Sequence, residues 1–415
     1  MSLPSKPDHR DIGKILSIFD FDSEVGAGLP LWLPNGTVIR DELEKMIKEL
    51  EFQEGYKRVS TPHLAKSGLY KMSGHLPFYE ESMFPALQLE EEQYYLRPMN
   101  CPHHHRIYSK GYYSYRDLPV RFAEYGQAYR YERSGALSGL MRARGLCQND
   151  AHIYCREDQI GSELLNVMSL YKNAYAVLGL SGYRFRLSKG DPENKNAKYV
   201  DSPLKWRWAE DLLRECLVRS HVEFVEENGE AAFYGPKIDI QMKNALGHEE
   251  TISTIQLDFV SAERMDLRYK DESGNWARPF VIHRAPLGSH ERMVATLLEQ
   301  NGGAFPAWLS PVQINILAIA QRHENFCDFL NKKFRMHGFR SEVDVSNNTL
   351  QKKLRQSFAM KTPYTIIVGD NEMKSEVLSF RKRGEKLDYR LSIAEFISAL
   401  SQEIQSRDQK LKVGK

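Results

Sequence analysis

The chain has 415 residues with 41% hydrophobic and 11% aromatic content, and its formal net charge is +2. This composition excludes a disordered or fibrous chain, and the small net charge gives no global sign of nucleic-acid binding, so any basic surface must be local. No apolar run approaches the roughly 18 residues of a membrane span and the amino terminus is polar, which predicts a cytosolic protein. Five scattered cysteines, without disulfide-framework spacing, predict reduced thiols that include a candidate metal ligand.

The first predicted elements are a long helix and a strand. Apolar residues recur at helical spacing from Ile39 to Gly55, which predicts an amphipathic helix. The strand that follows, from Tyr56 to Thr61, stops at Pro62, because proline cannot donate to a sheet ladder. Two further amphipathic helices are predicted, from Asp158 to Leu178 and from about Leu204 to Ser220.

The stretch from Tyr125 to Cys155 predicts a hairpin, with strands at Gly126–Glu132 and Gly145–Cys155 around a Gly-rich loop. Because side chains alternate along a strand, five polar residues fall on two matched faces. They are Arg130, Glu132, Gln148, Asp150 and His152. Protected strand faces are normally apolar, so these residues predict a ligand site; the alternative is a solvent-facing hairpin at a sheet edge.

Polar residues also mark later segments. Residues 188–196 predict a surface excursion. Three strand-like segments carry polar residues at inward positions: 231–239, 249–259 and 278–284. Gly288 and Arg292 then lie at a strand-to-helix join, where helix amides and a guanidinium could bind a phosphate, although many helices start with Gly and carry an Arg.

The last hundred residues predict a separate unit. The proline-rich segment Pro306–Pro311 marks a boundary. From residue 312 the elements follow as strand, helix, strand, helix, strand, strand and helix with short turns. This order implies a small, mostly parallel or mixed sheet covered by helices.

Cys101 is followed by the histidines 103–105, which invites a metal interpretation. Consecutive histidines on one strand or helix point in different directions and cannot all reach one ion. At most one of them is therefore expected to be a ligand, and Cys101 is better paired with distant residues.

Together these motifs resemble the class II aminoacyl-tRNA synthetases, and within them the bacterial threonyl-tRNA synthetase family. The helix and strand that end at Pro62 resemble the first class motif, which builds the dimer interface in the family. Tyr129–Glu132 with its loop resembles the second motif, and Gly288–Arg292 the third. The resemblance spans nearly the whole chain and rests on the order and spacing of the motifs.

The resemblance implies an α+β fold in two domains. Residues 1–307 would form a catalytic domain with an antiparallel sheet flanked by helices, and residues 308–415 a small α/β anticodon-binding domain with a mixed sheet. A homodimer would form through the region around Pro62. Full-length bacterial members also carry an N-terminal editing region, so the chain is expected to be an excised piece or a naturally short form.

A zinc site is implied as well, because Cys101, His152 and His283 match the three metal ligands of the family. One thiolate and two imidazoles leave a fourth position open, which is typical of a working zinc. In the family, the amino and hydroxyl groups of threonine both bind this zinc. That arrangement implies selection against valine, which lacks the second ligand.

The other site residues carry over motif by motif. Arg130 is expected at the α-phosphate and the substrate carboxylate, and Glu132 near the adenine. Arg142 and Arg292 would clamp the triphosphate with magnesium. At the reacting centre the resemblance implies a catalytic Lys237 and an ATP-binding Gln256. The residues expected to hold threonine are Gln148, Asp150 and Tyr234.

The implied activity is threonine–tRNA ligation: threonine and ATP give threonyl-adenylate and pyrophosphate, and the terminal ribose of tRNA(Thr) then accepts threonine. Positioning and charge stabilisation would suffice for catalysis, so no enzyme nucleophile is expected. Cys147 is one position out of phase with Gln148 on the predicted strand and should therefore point away from the site. In the second domain Arg355, Glu372 and Arg381 match anticodon-contacting positions, although each could be a solvated charge.

Two other functions are compatible with parts of the sequence. A synthetase-like binding or regulatory protein would keep the tRNA surface without catalysis, and the loss of Arg130, Arg292 or a zinc ligand would favour it; none is lost. An enzyme that transfers an activated amino acid to a carrier protein would not depend on residues 311–415.

Overall fold

The computed structural model describes residues 7–191, 193 and 199–414. Residues 1–6 of the polar amino terminus lie outside this range, as do residues 192 and 194–196 of the predicted surface excursion.

Short strands and helices precede the hairpin. The strands are β1 Phe19–Asp20, β2 Leu31–Trp32, β3 Lys57–Arg58, β4 Leu64–Lys66, β5 Leu87–Leu89 and β6 Glu92–Leu96. The helices are α1 His9–Ile15, α2 Pro34–Gln53, α3 Ser67–Ser73, α4 His75–Phe78 and α5 Cys101–Tyr108.

The elements from the hairpin to the proline-rich boundary are longer. The strands are β7 Val120–Tyr129, β8 Gly145–Cys155, β9 Arg184–Lys189, β10 Phe224–Asn228, β11 Lys237–Lys243, β12 Glu249–Asp258, β13 Tyr269–Lys270, β14 Trp276–Ala277 and β15 Phe280–Ala285. The helices are α6 Ile160–Leu178, α7 Pro203–Arg219, α8 Ser261–Arg264 and α9 His290–Asn301.

One eight-stranded sheet organises this part of the chain, in the order β10-β9-β11-β12-β15-β8-β7-β3. Its pairs are antiparallel except for β10 with β9 and β3 with β7. The hairpin β7–β8 is internal, because β15 borders β8 and β3 borders β7. The edge-hairpin interpretation is therefore wrong.

Three strand predictions need correction. β7 ends at Tyr129, so Arg130 and Glu132 lie in the loop after it. The Arg130 amide still donates to the Arg144 carbonyl, and the Glu132 amide then donates to the Arg130 carbonyl in a tight turn. The strand predicted from Tyr56 to Thr61 is reduced to β3, since the Thr61 amide donates to the Glu124 carboxylate instead of a strand partner. The strand predicted at 231–239 begins only at Lys237, after a turn.

The three predicted helices of this region are confirmed as α2, α6 and α7. α6 ends as expected at Gly179, whose left-handed backbone (φ 65°) favours glycine. These helices bury their apolar stripes against the large sheet, with Leu43, Leu164 and Leu213 fully buried in a single core. The helices thus cover one face of the sheet, and the polar groups of the predicted site lie on the other face.

The C-terminal part has its own core. Its strands are β16 Ile314–Ala318, β17 Ser341–Asp344, β18 Tyr364–Val368, β19 Val377–Lys382 and β20 Asp388–Ser392. Its helices are α10 Glu324–Met336, α11 Leu350–Ala359, α12 Asp370–Ser375 and α13 Ile393–Gln405. The sheet order is β17-β16-β18-β19-β20, parallel over the first three strands and antiparallel over the rest, so the predicted mixed sheet is confirmed.

The two parts touch through α2, where Arg340 pairs with Glu42 at 2.6 Å. The α+β fold class is confirmed, whereas the boundary between residues 307 and 308 stays a prediction. Among the described helices, none combines the length and apolar character needed to cross a membrane.

Candidate active site

A single row of side chains crosses the large sheet. Strand register places Lys237 opposite Gln256, Gln256 opposite His283, and His283 opposite His152. Directly paired residues share a face of the sheet. The register therefore brings together four predicted site residues from four strands that are far apart in sequence.

Cys101 completes a metal-ligating group at one end of this row. Cys101, His152 and His283 are buried, and one donor atom of each lies within 4.8 Å of the other two. His152 Nε2 and His283 Nδ1 are 3.0 Å apart. Two nitrogens at 2.0–2.1 Å from a tetrahedral zinc would be separated by about 3.3 Å, so this spacing fits zinc with little adjustment.

The outer ring nitrogens of both histidines are already engaged. His283 Nε2 lies 2.9 Å from Asp258 Oδ2, and His152 Nδ1 lies 2.8 Å from His104 Nδ1. Burial raises the pKa of Asp258, but hydrogen bonds from His283 and Ser261 outweigh it, so its pKa is lowered and the carboxylate accepts.

A neutral imidazole that donates from its outer nitrogen presents an unprotonated nitrogen to the other ring and to the Cys101 sulfur. Two facing lone pairs repel unless a cation lies between them. The donor set therefore fits zinc. Burial raises the pKa of the Cys101 thiol well above its usual value, and a bound metal would reverse this by favouring the thiolate.

Another ligand-like group lies on the opposite face of β8 and consists of Glu44, Cys147 and His290. Cys147 thus points away from the row that holds His152, as predicted. His290 Nε2 lies 3.1 Å from Glu44 Oε1. Burial lowers the pKa of His290, but its contacts with Cys147 and Glu44 outweigh this effect and raise the pKa to about 9, so the group is a buried ion pair at neutral pH.

The predicted threonine residues border the metal-ligating group. The Tyr234 ring stacks on His283 with centroids 4.8 Å apart, and its hydroxyl donates to Gln256 Oε1. Asp150 accepts a hydrogen bond of 3.2 Å from Asn100 Nδ2, and its pKa is raised by desolvation. Gly126 permits this arrangement, because a Cβ there would lie 2.1 Å from Asn100 Oδ1.

A polar cavity of about 180 Å³ adjoins these residues. Its lining includes six residues of the predicted site: Arg130, Glu132, Arg142, Gln148, Gln256 and Arg292. Gln256 belongs both to this lining and to the row that contains His283, so the cavity and the metal-ligating group form one continuous site.

Arg292 is held rigidly at the inner wall of the cavity. Its Nε donates to the Met141 carbonyl at 3.1 Å, and Nη1 donates to the Thr251 carbonyl at 2.5 Å. The position follows from the start of α9, where Ser289 accepts a hydrogen bond from the Arg292 amide. Burial lowers the pKa of this guanidinium below its ordinary value, yet arginine stays charged.

At the mouth of the cavity, Arg142 pairs with Glu132 at 2.8 Å. Arg130 donates from Nε to the Pro98 carbonyl at 3.3 Å, which links the hairpin loop to the segment that carries Cys101. Lys237 differs from the other predicted residues: it is absent from the cavity lining, and its ammonium lies 2.6 Å from Asp239, a buried carboxylate also held by Arg186. Its role at the reacting centre stays a prediction.

The predicted anticodon residues lie on three elements of the C-terminal part. Arg355 is exposed on α11 and Arg381 pairs with Asp388 at 2.5 Å. Glu372 accepts from the Gly369 amide at 2.9 Å and from the Ser379 hydroxyl at 2.7 Å. Burial raises the pKa of Glu372, but these hydrogen bonds outweigh it and lower the pKa.

Sequence reasoning missed the residues that support the site. Asp258 follows Gln256 by two positions on β12, so alternation could have placed it on the same face. Asn100 and His104 gave no such signal, because their contacts depend on how α5 packs against the sheet.

Comparisons with known proteins show which families this chain matches. Residues 83–301 match the family described as tRNA synthetase class II core domain (G, H, P, S and T), and residues 309–403 match the anticodon binding domain family. The threonine–tRNA ligase of Oceanobacillus iheyensis is 45% identical over 401 residues, which cover 96% of this chain and 62% of the relative. That of Deinococcus radiodurans is 47% identical over 376 residues, covering 91% of this chain and 58% of the relative.

Solved structures show the same similarity. The RNA binding domain of threonyl-tRNA synthetase from Cryptosporidium parvum superposes with a TM-score of 0.90 at 35% identity, covering 95% of this chain and 98% of that one. A putative threonyl-tRNA synthetase from Aeropyrum pernix gives a TM-score of 0.84 at 28% identity and covers 98% of both chains. This chain thus spans about 62% of the length of the curated relatives.

Proposed function

This chain belongs to the threonyl-tRNA synthetase family of the class II tRNA synthetases, and we propose that it acts as a threonine–tRNA ligase. One observation carries the proposal: the buried group Cys101, His152 and His283 adjoins a polar cavity that is lined by Arg130 and Arg292. Such a site can hold an amino acid at one end and a nucleotide phosphate at the other.

In the activation step, a carboxylate oxygen of threonine attacks the α-phosphorus of ATP, and the bond to pyrophosphate breaks. Arg130 lines the cavity and donates to the Pro98 carbonyl, and it would stabilise charge on the α-phosphate and on the carboxylate. Arg292, fixed by its bonds to two carbonyls, would hold the leaving pyrophosphate together with Arg142 and magnesium. Glu132 would then exchange its contact with Arg142 for the adenine.

The amino acid would lie against the metal-ligating residues. Zinc held by Cys101, His152 and His283 would act as a Lewis acid for the amino and hydroxyl groups of threonine. Asp150, Gln148 and Tyr234 would orient those groups, and Gln256 would hold the reacting carboxylate near the phosphate. Valine has nearly the same shape but leaves these polar groups without a partner, which is costly in a buried site.

In the transfer step, the terminal ribose hydroxyl of tRNA(Thr) attacks the carbonyl carbon of the adenylate, and AMP leaves. Residues 308–415 would bind the anticodon, with Arg355, Arg381 and Glu372 contacting splayed bases. A homodimer through the region around Pro62 completes the proposal. Because tRNA charging serves translation, we also propose a cytoplasmic location.

The experiment that tests the proposal is ATP–pyrophosphate exchange with zinc-loaded chain and threonine, valine or serine, followed by charging of tRNA(Thr). We expect threonine-dependent exchange, with valine at least about a hundredfold less effective. Deletion of 311–415 should abolish charging while adenylate formation remains. Absence of threonine-dependent exchange in a monodisperse, zinc-loaded sample would contradict the proposal.

A further inference from the structure

An unbroken path of hydrogen bonds runs from His152 to the segment before Pro62. His152 Nδ1 lies 2.8 Å from His104 Nδ1, and His104 Nε2 lies 3.0 Å from Glu124 Oε2. Glu124 in turn accepts from the Thr61 amide at 2.9 Å and from the Thr61 hydroxyl at 2.7 Å. His152, His104 and Glu124 are buried, so water does not compete for these contacts.

The directions of these hydrogen bonds follow from Glu124. Burial raises the pKa of Glu124, but hydrogen bonds from His104 and Thr61 and the charge of Arg97 outweigh it and lower the pKa to about 2. An ionised carboxylate only accepts, so His104 must donate from Nε2. Arg97 lies 3.3 Å from Glu124 and balances part of the carboxylate charge.

A neutral His104 that donates from Nε2 presents an accepting Nδ1 to His152, and this contact favours the form of His152 whose proton lies on Nδ1 and whose Nε2 is available to a metal. That nitrogen is the one that faces His283 Nδ1 at 3.0 Å. Glu124 contacts His104, and His104 contacts His152. Through this one intervening residue, Glu124 thus favours the tautomer of His152 that a metal requires. Partners of this kind orient a ligating imidazole and strengthen its binding to the metal.

We propose that Glu124 is a positioning residue of the metal centre, which acts through His104 to fix the tautomer and orientation of His152 and couples them to the Thr61–Pro62 segment. The inference rests on the proposed function, because it assumes that Cys101, His152 and His283 hold zinc. Since Pro62 is where the dimer interface is expected, the metal centre would depend on how that segment is held.

The test compares Glu124→Gln with Glu163→Gln as a matched control. Glu163 lies on α6 and is also buried. It accepts hydrogen bonds of 2.6 and 2.7 Å from Arg121, which lies on β7 like Glu124, but it does not contact the metal-ligating group. Zinc affinity would be measured by competition with a chromophoric chelator, and ligand geometry from the visible spectrum of the Co²⁺-substituted chain.

We expect Glu124→Gln to weaken zinc binding by about 10- to 100-fold and to change the Co²⁺ spectrum. Glu163→Gln should retain the wild-type affinity and spectrum even if it lowers stability. A purely structural role for Glu124 would leave the metal affinity of the folded variant unchanged, and that result would overturn the inference.

Thr61→Val gives a second, milder test that decides the matter if Glu124→Gln does not fold. It removes one donor to Glu124 and keeps the backbone donor, so zinc affinity should fall by about two- to tenfold. Unchanged affinity in Thr61→Val would then overturn the coupling. A wild-type chain that binds no zinc would instead contradict the metal centre of the proposed function, and the positioning role with it.

Discussion

Replacement of His283 by alanine is the most direct perturbation of the candidate site. The substitution removes one of three metal-ligating atoms and leaves Asp258 without its imidazole partner. It also removes a ring that stacks on Tyr234 at 4.8 Å and meets His152 edge-on at 4.4 Å.

The substitution should change the stability of the fold, the zinc content and the preference for threonine over valine. Loss of a buried ring should lower the free energy of unfolding by about 2–4 kcal/mol, as for other large-to-small core changes. Loss of the ligand should reduce zinc well below one per chain. A site that binds a substrate hydroxyl rejects its apolar analogue by about 10⁴-fold, whereas an apolar pocket reaches about 10²-fold, so preference for threonine over valine should fall by about 100-fold.

The assay combines metal analysis with ATP–pyrophosphate exchange for threonine and valine. His290→Ala is the matched control, because His290 is also fully buried and stacks on Tyr125 with centroids 5.2 Å apart, but on the other face of β8. The control should lose stability and keep both zinc and selectivity. If His283→Ala retained one zinc per chain and an unchanged preference for threonine, the reasoning would be wrong.

Three further predictions follow from single contacts. Arg292→Lys should raise the KM for ATP by about 10- to 100-fold in exchange assays, since lysine cannot reproduce a guanidinium fork that bonds two carbonyls and a phosphate; an unchanged KM would contradict this. The buried ion pair of His290 with Glu44 should stabilise the fold fully between about pH 4.5 and pH 6.5, because folding raises the pKa of His290 to about 9 and lowers the pKa of Glu44 to about 2. This contribution should be lost as the pH rises through about 9, and urea titrations should show the loss in the wild type and not in His290→Gln. Gly126→Ala should displace Asn100 and raise the KM for threonine by about tenfold without loss of zinc, because a Cβ would lie 2.1 Å from the Asn100 amide oxygen; equal KM values would show that the loop tolerates the shift.

The sequence by itself determined much of this protein, because several of its signals are local. Helical spacing located α2, α6 and α7, since apolar periodicity depends only on the path of the backbone. Strand alternation placed Gln148, Asp150 and His152 on one face of β8 for the same reason. The resemblance to a known family then supplied Cys101 and His283, which no local pattern would have joined to His152.

Only the tertiary structure decided how those residues meet. His283 faces His152 because β15 pairs with β8 in one register, and a shift by a single residue would turn one of the rings to the opposite face. Arg130 leaves the strand on which alternation had placed it, because a tight turn follows Tyr129. The contacts of Asp258 with His283 and of Glu124 with His104 depend on packing between segments distant in sequence. No periodic pattern in the sequence predicts such contacts.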